Sequence, residues 1–408
     1  MEITQAAGGV CAAKGFFAGG VHCGIRKNTS KLDLALIYSE TPCAAAAVYT
    51  KNKVCGAPIT VTRAHLSDGR AQAIICNSGN ANTCNADGVS KAQMMCAALA
   101  RELHLAETDI AVASTGVIGQ PLPIDPILSN IAPLIRSCRA DGEGSLLAGT
   151  AIMTTDTHEK EYSVRFSLGG KSCHIGGIAK GSGMIEPNMA TMLCFITTDA
   201  AISPAMLQKA LSADVQTTFN MVSIDGDTST NDTLVLLANG AAKNSTVEAE
   251  GEDFDTFCAA LHAVTTQLCR MIAKDGEGAT KLLTCTVRGA DGQQTARKIA
   301  KSVIKSTLFK CAVFGCDANW GRILCAIGYT EAEFEIDKVA VWLCSAGGKV
   351  QVCESGAGLP FSEDEALQVL QQDEVTVLID MGSGSETATA WGCDLSYDYV
   401  KINGDYRT

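Results

Sequence analysis

The sequence is poor in aromatic residues and has no long apolar run. Aromatic residues make up 5% of its 408 residues, and no apolar stretch approaches the ~20 residues that a membrane-spanning helix needs. The chain begins MEITQAAGGV, without a basic segment leading into an apolar one and without an Arg-rich amphipathic transit segment. These absences predict a cytoplasmic protein rather than a secreted, imported or membrane protein.

Blocks of positive charge are also missing. The formal net charge is −12, and no cluster of Lys and Arg stands out along the chain. A protein that binds the phosphate backbone of a nucleic acid needs a basic surface, so this class of partner is disfavoured. A small charged metabolite is the better prediction for the ligand, because a pocket can be cationic inside an acidic protein.

The cysteines and histidines lack the spacing of a metal site. There are 19 Cys and 6 His, but no CxxC and no HxxxH, and Cys311 and Cys316 are the tightest cysteine pair. Several cysteines lie inside apolar runs, where a free thiol packs as a small hydrophobe: Cys76, Cys194, Cys285 and Cys325. The pattern therefore predicts no metal and no disulfide scaffold, in keeping with a reducing compartment.

The residues that are present predict a large mixed α/β protein. Hydrophobic residues make up 47% and charged residues 19%, enough to build a sizeable core. Apolar patterning predicts strands over 71–76, 110–114, 193–198, 234–238, 282–287 and 375–380. It predicts helices over 91–105 after Ser90, from Ser203 and Pro204 onward, over 255–274, and over 363–371 after Ser362.

A glycine-rich stretch, GGIAKGSGMIEPNMAT, interrupts this pattern over residues 176–191. We interpret it as a long loop that meets Thr191 at the start of a strand, and such loops often carry function. A threonine hydroxyl becomes a useful nucleophile when a base lies within hydrogen-bond reach. A threonine at a chain N-terminus carries its own base, because the α-amino group has a pKa of about 7.7–8.0.

The amino group of Thr191 becomes available only if the bond between Ala190 and Thr191 breaks. The hydroxyl of Thr191 can attack the preceding carbonyl, giving an ester by an N→O acyl shift that water then hydrolyses. A small residue at the cleaved bond and the stiff Pro187 upstream favour this chemistry. A threonine at a strand start is common, so the residues alone leave an ordinary surface connection open as well.

The stretch KGSGMIEPNMATML, residues 180–193, resembles the signature of the ornithine acetyltransferase family. This family is also known as the bifunctional glutamate N-acetyltransferase/amino-acid acetyltransferase family. Further segments match it in family order over nearly the whole chain: residues 15–56, NSGNAN (77–82), STGVIG (114–119), MTTDT (153–157), SIDGDTSTNDT (223–233), AKDGEGATK (273–281), GCDANWGRI (315–323) and NGDYRT (403–408).

The resemblance implies a fold and an activity. The fold is a mixed α/β sandwich of packed sheets with outer helices, of the self-cleaving N-terminal-nucleophile type. Cleavage before Thr191 gives an α chain, 1–190, and a β chain, 191–408, in an α2β2 heterotetramer or a larger assembly. Thr191 takes the acetyl group of N2-acetylornithine and passes it to glutamate in arginine biosynthesis. No metal or organic cofactor is implied, and acetyl-CoA is a second donor if the enzyme is bifunctional.

The resemblance also implies site residues. Thr115 and Gly116 fall on the oxyanion pair, whose hydroxyl and N–H can both donate to a developing negative charge. The substrate-contact positions are Thr154, Lys180, Thr191, Glu277, Asn403 and Thr408. A lysine suits the carboxylate of an amino-acid substrate, and a glutamate suits its ammonium group.

Two other functions are weighed against this one. A self-cleaving aminopeptidase of similar fold would pass the acyl group to water, and a cysteine-rich metal- or metabolite-binding protein would have no catalysis. An acidic stretch with Asp225, Asp227 and Asp232 invites a calcium-loop interpretation. It lacks the twelve-residue EF-hand pattern, so we predict turn and loop hydrogen bonds there instead.

Overall fold

A computed structural model describes residues 2–186 and 192–405. The strands in chain order are β1 (Thr4–Ala6), β2 (Phe16–Val21), β3 (Leu34–Tyr49), β4 (Arg70–Asn77), β5 (Ile110–Ser114), β6 (Lys160–Leu168), β7 (Lys171–Lys180), β8 (Leu193–Thr198), β9 (Val222–Ser223), β10 (Thr233–Ala238), β11 (Leu282–Ala290), β12 (Ala340–Ser345), β13 (Gly348–Glu354), β14 (Ala357–Gly358), β15 (Glu374–Asp380) and β16 (Glu386–Cys393).

The helices in chain order are α1 (Ala57–His65), α2 (Gly88–Leu103), α3 (Ile124–Ser129), α4 (Ile131–Ser137), α5 (Gly142–Ile152), α6 (Pro204–Asp214), α7 (Glu252–Lys274), α8 (Gln293–Lys305), α9 (Thr307–Phe314), α10 (Trp320–Gly328), α11 (Glu363–Leu370) and α12 (Tyr397–Gly404). The described residues divide into two compact units. The first holds residues 2–181, 192–216 and 228–268, and the second holds 182–186, 217–227 and 269–405.

The first unit is built on a nine-stranded sheet. Its strands follow the order β1-β6-β7-β8-β10-β3-β4-β5, and β2 pairs with β3 beside this path. The sheet is mixed, because β4 with β5 and β8 with β10 run parallel while the other pairs are antiparallel.

Both faces of this sheet are apolar, because successive residues of a strand point to opposite sides. In β4, Ile74 and Cys76 join one core cluster, which includes Ala148 of α5, whereas Ile75 belongs to another, which includes Leu99 of α2. Burial on both faces explains why β4 reads as a continuous apolar run rather than an alternating one.

Strand pairing brings the ends of several strands to fixed places in the first unit. Asn77 at the end of β4 pairs with Ser114 at the end of β5, so the turns that follow both strands begin side by side. Leu193 at the start of β8 pairs with Lys180 at the end of β7 and with Thr233 at the start of β10.

The second unit contains a seven-stranded sheet in the order β14-β13-β12-β15-β11-β16-β9. Helix α8 packs on β11 and β16, and Ile299 and Val303 on its apolar side are fully buried. The remaining chain of this unit, around 182–186 and 217–227, carries residues that matter for the site. No helix of the described residues combines the length and the apolar character needed to cross a membrane.

The mixed α/β class is confirmed. The predicted strands are all present, and Ser203 and Ser362 cap their helices, with side chains accepting from Met206 N–H at 3.4 Å and Glu365 N–H at 3.2 Å. The predicted cap at Ser90 is wrong, because α2 begins at Gly88 after Asp87.

Two other local predictions are wrong. Residues 176–180 belong to β7 rather than to a loop. Their glycines serve close packing, since a Cβ on Gly176 would press on the Gly9 carbonyl oxygen and lie 2.6 Å from Ser163 Cβ. All 19 cysteines are free, and Cys325 is exposed rather than buried.

Candidate active site

The predicted site residues fall into one group in each unit. Thr115, Gly116, Thr154 and Lys180 belong to the first unit, and Glu277 and Asn403 belong to the second. Ala190, Thr191 and Thr408 lie outside the described residues, so their roles stay predictions.

The Thr115–Gly116 turn extends β5 and is held by the turn that follows β4. The backbone N–H of Thr115 donates to the carbonyl oxygen of Asn77 at 3.0 Å, and that of Val117 donates to Gly79 at 3.4 Å. The N–H of Ala81 returns a bond to the Val117 carbonyl at 3.0 Å. The NSGNAN and STGVIG segments of the sequence thus form one hydrogen-bonded structure.

Only glycine fits at position 116. Its φ of 133° lies in a region that side chains rarely adopt, and a Cβ there would lie 2.5 Å from the backbone nitrogen of Asn80. The close contact is with backbone, which cannot rotate away as a flexible side chain could. The packing of the two turns therefore requires the glycine that the sequence places beside Thr115.

Neutral side chains lock this arrangement. Asn231 donates from Nδ2 to the Ser114 carbonyl oxygen at 2.9 Å and accepts from the Thr83 hydroxyl at 2.6 Å. Asn77 accepts from the Ser114 hydroxyl at 2.6 Å and donates to the Asn80 carbonyl oxygen at 2.9 Å. We call the residues 77–83, 114–117 and Asn231 the neutral turn.

The hydroxyl of Thr115 is available for a ligand. Thr115 is 9% exposed, and its hydroxyl makes no hydrogen bond to any other residue that the structure describes. A preorganised donor of this kind stabilises negative charge without having to reorganise during a reaction. The neutral turn can therefore serve as an oxyanion-binding element.

Lys180 lies at the end of β7 in a second, charged region. It is 8% exposed, and the adjacent Asp156 carboxylate binds Lys160 Nζ at 2.7 Å, Gly181 N–H at 2.7 Å and Thr154 N–H at 2.9 Å. Burial opposes ionisation of Asp156, but the charges of Lys180 and Lys160 outweigh it and hold the pKa of that carboxyl well below its usual range.

Asp232 is a second buried carboxyl near Lys180, and its pKa is shifted in the opposite direction from that of Asp156. It is 1% exposed, and its Oδ2 has no hydrogen-bond partner among the described residues. Burial, the largest influence, raises the pKa of Asp232 well above its usual range, against the effects of the Ser229 hydroxyl and the Lys180 charge. We call Asp156, Lys160, Lys180 and Asp232 the charged cluster.

Strand β8 begins beside Asp232. The N–H of Thr233, the next residue after Asp232, donates to the carbonyl oxygen of Met192 at 3.0 Å, and Met192 is 4% exposed. Met192 directly follows the predicted nucleophile in sequence. The first described residue after Thr191 is therefore firmly held within the first unit.

In the second unit, the structure brings Glu277 and Asn403 together. Asn403 Nδ2 donates to the Glu277 carboxylate at 2.8 Å, and the backbone N–H of Glu277 donates to the Ser182 carbonyl oxygen at 2.8 Å. A Cβ on Gly183 would lie 2.5 Å from Glu277 Oε1, so the glycine leaves the room that this carboxylate occupies. Glu277 is 7% exposed, which strengthens any pairing with a cation.

The comparison with known proteins shows the family of the chain. The profile of the family described as the ArgJ family matches residues 17–408. The chain belongs to the ArgJ family. Within the described residues, no group of three or more His, Cys, Asp or Glu side chains is placed to hold a metal ion.

Two relatives of the ArgJ family match the chain along its full length, and a solved structure matches part of it. The arginine biosynthesis bifunctional protein ArgJ of Caldanaerobacter subterraneus is 49% identical over 409 residues, covering 100% of both chains. The protein of the same name from Listeria monocytogenes is 45% identical over 412 residues, again covering 100% of both. The crystal structure of ornithine acetyltransferase complexed with ornithine from Mycobacterium tuberculosis is 37% identical with a TM-score of 0.44, covering 46% of this chain and 100% of that one.

Sequence reasoning found the ArgJ-family motifs but did not single out Asp156, Gly183 or Asn231 within them, and for Asp232 it predicted only turn and loop hydrogen bonds. Asp156 lies in the MTTDT segment, Asn231 and Asp232 lie in SIDGDTSTNDT, and Gly183 lies in the signature itself. The turn hydrogen bonds predicted for Asp225 are present, since its carboxylate accepts from the Asp227 N–H at 3.2 Å. Nothing in the local pattern marked Asn231 or Asp232 as buried, because their partners come from distant parts of the chain.

Proposed function

We propose that the chain is a self-cleaving ornithine acetyltransferase that moves the acetyl group of N2-acetylornithine to glutamate in arginine biosynthesis. The observation that carries the proposal is the full-length identity of 49% to an arginine biosynthesis bifunctional protein ArgJ. The available hydroxyl of Thr115 and the glycine beside it supply the oxyanion-binding element that acyl transfer needs.

Maturation comes first in the proposed sequence of reactions. The Thr191 hydroxyl adds to the Ala190 carbonyl carbon, the peptide C–N bond breaks, and the resulting ester is hydrolysed by water. The products are residues 1–190 with a new carboxylate and residues 191–408 with a new α-amine, which we propose assemble as an α2β2 heterotetramer. No metal or organic cofactor takes part in this proposal.

Acetyl transfer then proceeds in two halves. The α-amine of Thr191 takes the hydroxyl proton as the oxygen attacks the acetyl carbonyl, and Thr115 and Gly116 donate to the oxyanion. Ornithine leaves with that proton, and the amine of glutamate attacks the acetyl ester to give N-acetylglutamate. Lys180 is the group we assign to a substrate carboxylate, while Thr154, Glu277, Asn403 and Thr408 are assigned to the remaining substrate contacts.

The decisive experiment compares Thr191→Ala with Thr191→Ser by intact-mass spectrometry and a transfer assay. Alanine has no nucleophile, so Thr191→Ala is expected to stay as one full-length chain without transferase activity. Serine keeps the hydroxyl and is expected to give two chains and measurable transfer. Normal cleavage in the alanine variant would contradict the mechanism, and the N-terminal sequence Thr-Met-Leu on the smaller wild-type fragment would support it.

The acceptor and the second donor are tested with the cut enzyme. Transfer predicts N-acetylglutamate in step with ornithine, whereas an amidohydrolase would release free acetate. We further propose that acetyl-CoA acetylates Thr191 as an alternative donor, as a bifunctional protein requires. Formation of N-acetylglutamate from acetyl-CoA without acetylornithine would support this activity, and its absence would leave a monofunctional enzyme.

A further inference from the structure

The residues just upstream of the predicted cleavage site are held by backbone contacts in the second unit. The carbonyl oxygen of Ser182 accepts from Glu277 N–H at 2.8 Å, and the carbonyl oxygen of Ile185 accepts from Ile224 N–H at 2.8 Å. We call residues 182–186 the approach segment. Its last residue lies four positions before Ala190 in the sequence.

The carboxylate of Asp225 adds two further bonds to this segment. It accepts from the N–H groups of Met184 at 2.6 Å and Ile185 at 2.9 Å. Met184 has a φ of 55°, which non-glycine residues adopt only when their surroundings impose it. Bonds to an ionised acceptor are stronger than neutral ones, so Asp225 is well suited to hold this strained backbone.

The end of the approach segment is fixed by an ion-pair group. Glu186 Oε1 lies 3.1 Å from Lys305 Nζ and 3.5 Å from Lys301 Nζ, both on α8. Lys301 is itself anchored, because its Nζ donates to the carbonyl oxygens of Asn220 and Val222 at 2.7 Å each. Burial lowers the pKa of Lys301 to about 8, against the raising effect of Glu186.

We propose that Asp225 is a positioning residue for self-cleavage, holding the approach segment so that the Ala190 carbonyl is presented to the Thr191 hydroxyl. The inference rests on the proposed function, which supplies the cleavage step. An intramolecular attack depends steeply on how well the reacting groups are held, and a short tether from a fixed anchor restricts them. Acetyl transfer by the cut enzyme does not use the Ala190–Thr191 bond, so it is expected to depend much less on Asp225.

The test follows newly synthesised precursor over time, comparing Asp225→Asn with the matched control Asp227→Asn. Both variants remove one negative charge from the same turn, but Asp227 is exposed. Asparagine offers a neutral acceptor in place of a carboxylate. The half-time of cleavage is expected to lengthen at least about tenfold in Asp225→Asn and to stay within about twofold in the control. Transfer per cut molecule is expected to stay within about threefold of wild type in both.

Failure of the inference is distinguishable from failure of the proposed function. An uncut wild-type chain would overturn the proposed function, and the inference with it. If the wild type is cut and Asp225→Asn is cut equally fast, the inference fails and the proposed function stands. The inference also fails if Asp225→Asn and Asp227→Asn slow cleavage equally, or if Asp225→Asn lowers only the transfer rate. If Asp225→Asn does not fold, Asp225→Glu decides, because it keeps the negative charge but its longer side chain cannot place the carboxylate on both N–H groups. Cleavage as fast as in wild type in that variant would also overturn the inference.

Discussion

Asn231 and Asp232 are neighbours in sequence but belong to regions of opposite character. Asn231 supports the neutral turn, where its amide bonds Ser114 and Thr83. Asp232 belongs to the charged cluster, buried near Lys180 with one oxygen unpaired among the described residues. Both regions are in the first unit and both are buried, so the difference between them is one of charge and not of exposure.

The difference shows what each region can contribute. A network of amides and hydroxyls keeps its geometry across a wide pH range, which suits a preorganised oxyanion-binding element. A cluster of buried charges depends on ionisation and on every partner remaining in place. Substitutions that remove a carboxylate from the charged cluster, or introduce one into the neutral turn, therefore test whether each region depends on its charge state.

The largest effect is expected from Asp156→Asn. The variant removes the carboxylate that binds Lys160 Nζ at 2.7 Å, and breaking a buried pair in this way costs about 3–5 kcal/mol of the free energy of unfolding. The native pKa of Asp156 is depressed, so its stabilisation is present above the unfolded pKa of about 3.9 and is lost as pH falls. Urea unfolding should therefore show a difference from wild type that is large at pH 7 and shrinks in acid.

The exposed Asp125→Asn is the control for that variant, with an expected change within about 0.5 kcal/mol. Equal free energies of unfolding of Asp156→Asn and wild type at neutral pH would show that the buried pair of Asp156 and Lys160 does not stabilise the fold.

A loss of about 10²–10³ in transfer rate is expected from Gly116→Ala, the size of losing an oxyanion-hole donor. The new Cβ meets the Asn80 backbone nitrogen at 2.5 Å, so the turn must move and its donors are misplaced. Gly119→Ala is a matched control, because Gly119 also has a positive φ, of 78°, but no atom lies within 4 Å of its Cβ position. Steady-state transfer by the cut enzyme would measure both, and equal activity would argue against this role for the turn.

Asn231→Asp places an ionisable carboxyl in the neutral turn. It is expected to lower the free energy of unfolding by about 2–3 kcal/mol, because buried carbonyl oxygens lose their donor. The lost donations are those to the carbonyl oxygens of Ala81 and Ser114. Burial would raise the native pKa of the new carboxyl, so the loss should grow as pH rises above about 3.9. Thermal unfolding over a pH series would show this, and a pH-independent difference would contradict it.

The sequence predicted the parts of this structure that depend on neighbouring residues. Strand Ile110–Ser114 and strand Leu193–Thr198 have the predicted bounds, because apolar runs between turn residues are local signals. Asn231 could not be recognised in this way, because its hydrogen-bond partners Ser114 and Thr83 lie 117 and 148 positions earlier in the sequence. Gly176 was misinterpreted for a related reason, because its close neighbour, Gly9, comes from a distant part of the chain.

The smallest effect at pH 5 is expected from Asp232→Asn, which replaces a carboxyl whose ionisation burial opposes with an amide that cannot ionise. Burial raises the native pKa of Asp232, so wild type loses stability as pH rises above the unfolded value of about 3.9, where only the unfolded carboxyl ionises freely. Asparagine cannot ionise and removes that loss. The free energy of unfolding should therefore lie within about 1 kcal/mol of wild type at pH 5 and exceed it increasingly toward pH 8. A variant that instead loses stability with rising pH relative to wild type would show that Asp232 works as a paired carboxylate like Asp156, and the contrast between the two aspartates would fail.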